Sequence, residues 1–319
     1  IPSLKGVPVL TVGIDIGGTK IAGGVVNEQG DVLAKARVET PRDVRDIEGA
    51  VVEMVRGLRE LHEVTSVGVA AAGFVDRARS TIYFGANIDW RDEPLRARLE
   101  ARIDLPVIIE NDANAAGWAE YHFGAGRGYQ DFVMLTIGTG VGGAVVANGQ
   151  LYRGGHGAAG ELGHTRYIRD GLPCGCGQRG CIEQYASGRA LQRVAGEIAD
   201  AGGIGLALAA ARQERGKLTG PMISRLVAQG DPGATQALRV VASAIGEICG
   251  QFSATLDPQV FVIGGGVAQL GQLLLDPINE AYVDYLPAHG FRPAANITIA
   301  ELVNDAGLIG AADLARQGS

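Results

Sequence analysis

Residues 173–185 read "PCGCGQRGCIEQY" and hold three of the chain's four cysteines, Cys174, Cys176 and Cys181. Thiols gathered this tightly suit either a redox or disulfide site or a metal site. The spacing Cys-x-Cys-x4-Cys contains no Cys-x-x-Cys pair, which disfavours thioredoxin-like chemistry. His164 lies upstream in "ELGH", and three thiols with one imidazole complete a Cys3His set for tetrahedral Zn2+. Four protein ligands leave no open position, so this ion is expected to be structural and not catalytic. Gly175, Gly177 and Gly180 let the loop wrap closely around it. The fourth thiol, Cys249 in "AIGEICGQF", reads as a buried apolar side chain.

Three glycine turns carry a second kind of chemistry. In "GIDIGGTK", Asp15 precedes Gly17, Gly18, Thr19 and Lys20. Backbone N–H groups there can face a phosphate without a Cβ in the way. Asp15 could hold Mg2+ through water, since that ion keeps most of its hydration shell. The turn matches neither a P-loop nor a dinucleotide fingerprint, and a tight hairpin that needs small residues explains it equally well. The turn "TIGTGVGG" repeats the pattern at Gly138, Thr139 and Gly140. The third, "VIGGGV", places Gly264, Gly265 and Gly266 between a strand and a helix, where they suit a planar ring or an anion. Together the three turns point to a nucleotide held between two α/β units. In "IENDANAAGWAE", Asp112 opens a predicted helix. It reads both as that helix's N-cap and as a general base at the end of a strand. Asn111 beside it offers a donor and an acceptor to a sugar hydroxyl.

The elements that position these residues follow from periodicity. Strands are expected at "VLTVGIDIGG", "IAGGVV", "VLAKARVE", "SVGVAAAG" and "PVIIEN". Helices are expected over residues 44–63, with Ile47, Val51, Val55, Leu58 and Leu61 on one face, and over 94–103 and 112–123. The scheme restarts at "DFVMLTIGTG". "GGVVNEQG" and "GGAVVANG" correspond at an offset of about 119 residues, which suggests an internal duplication. Residues 187–256 read as mostly helical; "QVFVIGGGV" and "NITIAEL" follow as strands and 306–315 as a last helix. A chain of 319 residues with 46% hydrophobic and 20% charged residues fits a two-domain globular protein. Its net charge of −7 gives no basic footprint for nucleic acid or an anionic membrane. No segment approaches a membrane span. With no secretion signal legible, a cytoplasmic location is expected.

The pieces "DIGGTK", "ENDANAA", "TIGTGVGGAVVANGQLYRG", "GELGH" and "CGCGQRGCIE", in this order, resemble the ROK family of sugar kinases and repressors from about residue 10 to the end. That resemblance implies an actin-like (ribonuclease H-like) duplicated α/β ATPase fold, with two lobes around a cleft. Residues 1–113 with 305–319 would form a small lobe, and 114–304 a large one carrying the zinc loop at 164–181. It further implies that Glu183, Glu161, His164, Asn111 and Asp112 contact a hexose, and His164 would bind zinc through its other ring nitrogen. Gly73 and Asn87 are weaker candidates for lining the sugar pocket, while His156 has no assignable role.

The implied reaction is phosphoryl transfer from MgATP to the 6-hydroxyl of glucose, with Asp112 as base. The turns at 17–20 and 138–140 would hold the phosphates, Asp15 would position Mg2+, and 264–266 would lie by the adenosine. Other hexoses or a polyphosphate donor remain open. A sugar-responsive repressor is the rival of another class; its winged helix-turn-helix has no counterpart before the first strand near Pro8. A zinc-dependent sugar-binding protein without turnover is disfavoured by Asp112. The family implies a homodimer or homotetramer.

Overall fold

The computed structural model describes residues 9–85 and 88–318. The chain begins with the meander β1 (Thr11–Ile16), β2 (Lys20–Val26) and β3 (Val32–Glu39), followed by helix α1 (Val44–Leu61) and strand β4 (Ser66–Ala71). Three short strands, β5 (Phe74–Val75), β6 (Ile82–Phe84) and β7 (Arg91–Glu93), make a small separate sheet. Then come α2 (Leu95–Ile103), β8 (Val107–Asn111) and α3 (Asp112–Phe123). The second half opens with β9 (Phe132–Ile137), β10 (Val141–Ala147) and β11 (Gln150–Leu151). A long excursion carries α4 (Glu183–Ala186), α5 (Gly188–Ala201), α6 (Leu206–Arg215), α7 (Gly220–Ala228) and α8 (Pro232–Thr255). The chain closes through β12 (Val260–Gly264), α9 (Gln272–Tyr285), β13 (Asn296–Ile299) and α10 (Ala306–Gln317).

Two five-stranded sheets result, with orders β3-β2-β1-β4-β8 and β11-β10-β9-β12-β13. Each has an antiparallel meander on one side and parallel strands on the other. This is the expected duplication. Ile16 pairs with Ile21 at the head of the first hairpin, and Ile137 with Val141 at the head of the second. Val141 therefore stands where Ile21 does, an offset of 120 (141 − 21). The sequence match, at 119, aligns the two Gly-Gly pairs and so runs one residue out of the structural register.

Each sheet buries its own core. Val12, Ile14 and Val69 pack with Val51, Val55 and Leu58 of α1, while Leu135, Ile263 and Phe261 pack with α5 and α8. α1 has the expected apolar stripe and an Asp43 cap on the Arg45 N–H, but it ends at Leu61, whose side chain is exposed. The inward face closes one turn earlier, at Leu58.

Helices α3 and α10 pack on each other; α10 also covers β1 and β4, and α3 covers β10. The fit of α10 is unusually close. A Cβ on Gly13 or Gly68 would strike the backbone of Leu308 or Ala311, and one on Gly310 would strike Ala115 of α3. Part of the glycine excess therefore serves helix seating, not ligand contact. Cys249 is fully buried in α8, as expected. Among the described residues no single helix is long and apolar enough to cross a membrane.

Candidate active site

Strand β8 ends at Asn111, and α3 starts at the next residue. The expected cap is off by one position. Asn111, not Asp112, caps α3, its Oδ1 accepting the Asn114 N–H at 3.0 Å. The Asn111 amide also donates to the Gly73 carbonyl at 3.0 Å, which ties the strand end to the turn before β5. Asp112 occupies the first helical position, and its Oδ1 accepts only the Ala113 N–H, at 2.9 Å. Burial pushes its pKa above the ordinary carboxylate range, against the pull of that N–H and its own.

Asp112 opens onto a cleft of about 680 Å3. Gly73, Asn111, Glu161, His164, Cys176, Glu183, Gly138, Thr139, Gly140 and Gly265 line the same cleft. The residues expected to meet a sugar thus gather around one space. Asn87 lies outside the described residues. Glu161 precedes the 3-10 turn Leu162–His164; burial, then the charges of Asp112 and Glu183, raise its pKa to about 7. Glu183 is the first residue of α4, and its Oε2 accepts the Val141 N–H at 3.1 Å. That contact needs Gly140, where a Cβ would collide with the carboxylate.

Beneath this wall, the ligand atoms of His164, Cys174, Cys176 and Cys181 lie within 4.8 Å of one another. Cys174 Sγ is 3.6 Å from His164 Nδ1, and Cys176 Sγ is 3.6 Å from Cys181 Sγ. A tetrahedral zinc ion, ~2.3 Å from sulfur and ~2.0 Å from nitrogen, spaces neighbouring ligands by roughly 3.5–3.8 Å. The donor set and its spacing fit zinc. None of the four cysteines forms a disulfide. Nδ1 faces the thiols, so Nε2 is the nitrogen they leave unengaged. Cys174 Sγ also approaches Glu183 Oε1 at 3.8 Å, so the thiol loop and the carboxylate wall are one construction.

The three glycine turns are placed differently. The second lines the cleft, and its Gly138 carbonyl accepts the Gly188 N–H at the start of α5, at 2.8 Å. From the third turn, Gly265 reaches the cleft and Gly266 is exposed beside it. Gly264 is the buried last residue of β12, facing Met134 and Ala300, which leaves it no surface for an adenosine. The first turn does not line this cleft. Its Gly18 and Thr19 are exposed, and the loop is locked by Gly17 N–H to Lys20 O at 3.0 Å and Thr40 Oγ1 to Gly17 O at 2.6 Å. Asp15 in β1 is the link between turn and cleft. Burial and the nearby charge of Asp112 raise its pKa to about 6 against the opposing pull of Lys20.

Sequence reasoning missed Arg189, the second residue of α5 and, among the described residues, the one Lys or Arg lining the cleft. Phe74, Phe84 and Gln184 also line it. None sits in a motif whose spacing signals chemistry. His156 is exposed in a loop, as expected.

A duplicated α/β sheet pair with carboxylates, glycine turns and a thiol cluster around one cleft defines the class. The chain belongs to the ROK family, whose model matches residues 11–318, and it has that family's actin-like fold. It is 47% identical over 312 residues to the glucokinase of Streptomyces coelicolor, spanning 97% of this chain and 98% of that one. Among solved structures it is similar to a ROK family glucokinase from Streptomyces griseus in complex with glucose and AMPPNP. That match has a TM-score of 0.89 and 47% identity, and covers 97% of this chain and all (100%) of that one. The ROK hexokinase of Thermus thermophilus matches with a TM-score of 0.80 at 35% identity, covering 97% and 99%.

Proposed function

We propose that the protein transfers the terminal phosphoryl group of ATP to the 6-hydroxyl of glucose. One observation carries the reading. An Asp112 carboxylate free of ion pairs among the described residues shares a cleft with Glu161, Glu183, the His164 imidazole and the Gly138–Gly140 turn. The 47% identity to the Streptomyces coelicolor glucokinase, and to one whose structure holds glucose and AMPPNP, favours glucose and ATP over the alternatives.

In this reading Asp112 takes the hydroxyl proton as the oxygen attacks, and burial, which raises its pKa, makes it a stronger base than an ordinary carboxylate. Glu161, Glu183, His164 Nε2 and the second amide hydrogen of Asn111 hold the other hydroxyls. The N–H groups of Thr139 and Gly140 and of Gly18 and Thr19, with Arg189, receive the phosphates. Adenosine rests by Gly265 and Gly266. Asp15, at the end of β1, is the residue that would hold Mg2+, whose role is to neutralise phosphate charge. Zinc on His164, Cys174, Cys176 and Cys181 would fix the loop and the imidazole tautomer.

We read residues 1–113 with 305–319 as one lobe and 114–304 as the other, closing on the cleft to exclude water. The reading includes a cytoplasmic enzyme, supported by thiols free of disulfides. It also includes a homodimer or homotetramer, supported by Val283 and Tyr285, exposed at the end of α9, and by Phe291, exposed six residues further on. Coupled-assay rates with a hexose panel, using ATP and polyphosphate in parallel, test the activity. Glucose with ATP is expected to give the highest kcat/KM, and another pair in first place would overturn the assignment.

A further inference from the structure

A second cleft, also of about 680 Å3, lies between the turn after β5 and the β10–β11 hairpin. It shares no lining residue with the first. Arg77, Arg79 and Arg153 line it, and no acidic side chain does. On a chain of net charge −7 such a lining is not background.

The nearest counter-charge is Glu110, which is almost wholly buried. Its Oε2 accepts Arg153 Nε at 2.7 Å, and Arg79 Nε stands 4.0 Å from the same oxygen. Its Oε1 is occupied by the Asn111 N–H at 3.1 Å and by the Asn114 amide at 3.2 Å. That one carboxylate is shared by Arg153 and Arg79, and Arg77 has no ion-pair partner among the described residues, so positive charge exceeds negative at the cleft. Burial, followed by the charge of Arg153, holds the Arg79 pKa below its usual value. Arg79 Nε and Arg153 Nη2 are buried and make no hydrogen bond within the described residues. Unpaired, buried guanidinium N–H groups are costly, and a turn of either side chain toward a ligand with several acceptor oxygens removes the cost. Arg77 is exposed at the rim, 3.5 Å from the Gly155 carbonyl.

We propose that this cleft binds a phosphate dianion, as inorganic phosphate or as the phosphate group of a phosphorylated sugar, through Arg77, Arg79 and Arg153. Two negative charges and three acceptor oxygens match the charge excess and the planar donors. The site is wired to the first cleft at two points. Glu110 immediately precedes Asn111 and Asp112, and its Oε1 holds the Asn111 N–H. The Arg153 carbonyl accepts the Ala159 N–H at 3.1 Å, which closes the loop leading to Glu161.

The test is calorimetric titration of the full chain, with the first cleft saturated by glucose and a non-hydrolysable ATP analogue. Inorganic phosphate and glucose 6-phosphate are titrated in parallel. One anion per chain is expected, and Arg77→Glu is expected to weaken it by about tenfold or more. Arg77 is exposed and lies outside the catalytic cleft, so this variant folds where an Arg153 variant, leaving Glu110 unpaired, fails to. Equal affinity for both anions assigns the site to the phosphate group alone. Tighter glucose 6-phosphate assigns it to the phosphorylated sugar. No binding of either up to about 20 mM, or binding that Arg77→Glu leaves unchanged, overturns the proposal.

Discussion

Two aspartates occupy equivalent places in the two halves and meet opposite fates. Asp112 follows β8 at the head of α3, and Asp305 precedes α10, the helix that follows β13. Asp305 is paired with Lys35 at 2.6 Å on the surface. Asp112 has no ion pair among the described residues and is raised in pKa by burial. The junctions before α3 and α10 thus leave one aspartate buried beside the cleft and the other paired at the surface. What differs is the surrounding chain. Between β3 and β4 the first half has the single helix α1, whereas between β11 and β12 the second half inserts the thiol loop and five helices. That insertion brings Glu161, His164 and Glu183 to face Asp112. Duplication supplies the cleft, and asymmetric insertion supplies its chemistry.

The contrast breaks most sharply at Asp112. Asp112→Asn is expected to lower kcat by ~10²–10⁴-fold with glucose KM little changed. A variant that keeps near wild-type turnover in steady-state assays removes the base assignment. Next comes the insertion. Cys176→Ser or Cys181→Ser is expected to lower zinc content below one per chain and to cost about 10–100-fold in kcat/KM. Metal analysis and kinetics on one preparation check both; full activity without zinc would detach the loop from the sugar site.

A pH profile sharpens the comparison further. Asp112 must be ionised to act, and its pKa lies above the usual carboxylate value, so kcat/KM is expected to fall as pH drops through a limb above about 4. Glu161 and Asp112 repel each other as anions. Glu161, its pKa raised to about 7 by burial and by the Asp112 and Glu183 charges, sheds its own charge first as pH falls, so Glu161→Gln is expected to leave that limb in place, alongside any loss of glucose affinity. At the other aspartate little is at stake. Lys35→Ala is expected to cost at most about 1 kcal/mol in denaturant unfolding and to leave kcat unchanged, because the pair is half-exposed.

Sequence showed most of this architecture because its signals are periodic or chemical. α1 carries an apolar stripe, the glycine turns recur between halves, and the thiol spacing admits few meanings. What it hid has equally physical reasons. Strands β5 to β7 hold only two or three residues each, too few for a period to register. Asn111 and Asp112 are both good caps, and one residue's difference in helix start decides which carboxylate or amide stays free. Arg189 and the Arg77–Arg79–Arg153 group come together only by folding, from segments that look like ordinary charged surface.

The seat of α10 has a consequence for how the chain is made. Gly13 and Gly68 are synthesised long before the helix that covers their sheet, which spans 306–317. During translation the first sheet must wait with one face open while some 240 intervening residues, 69 to 305, emerge. Losing that helix would expose a sheet made long before it.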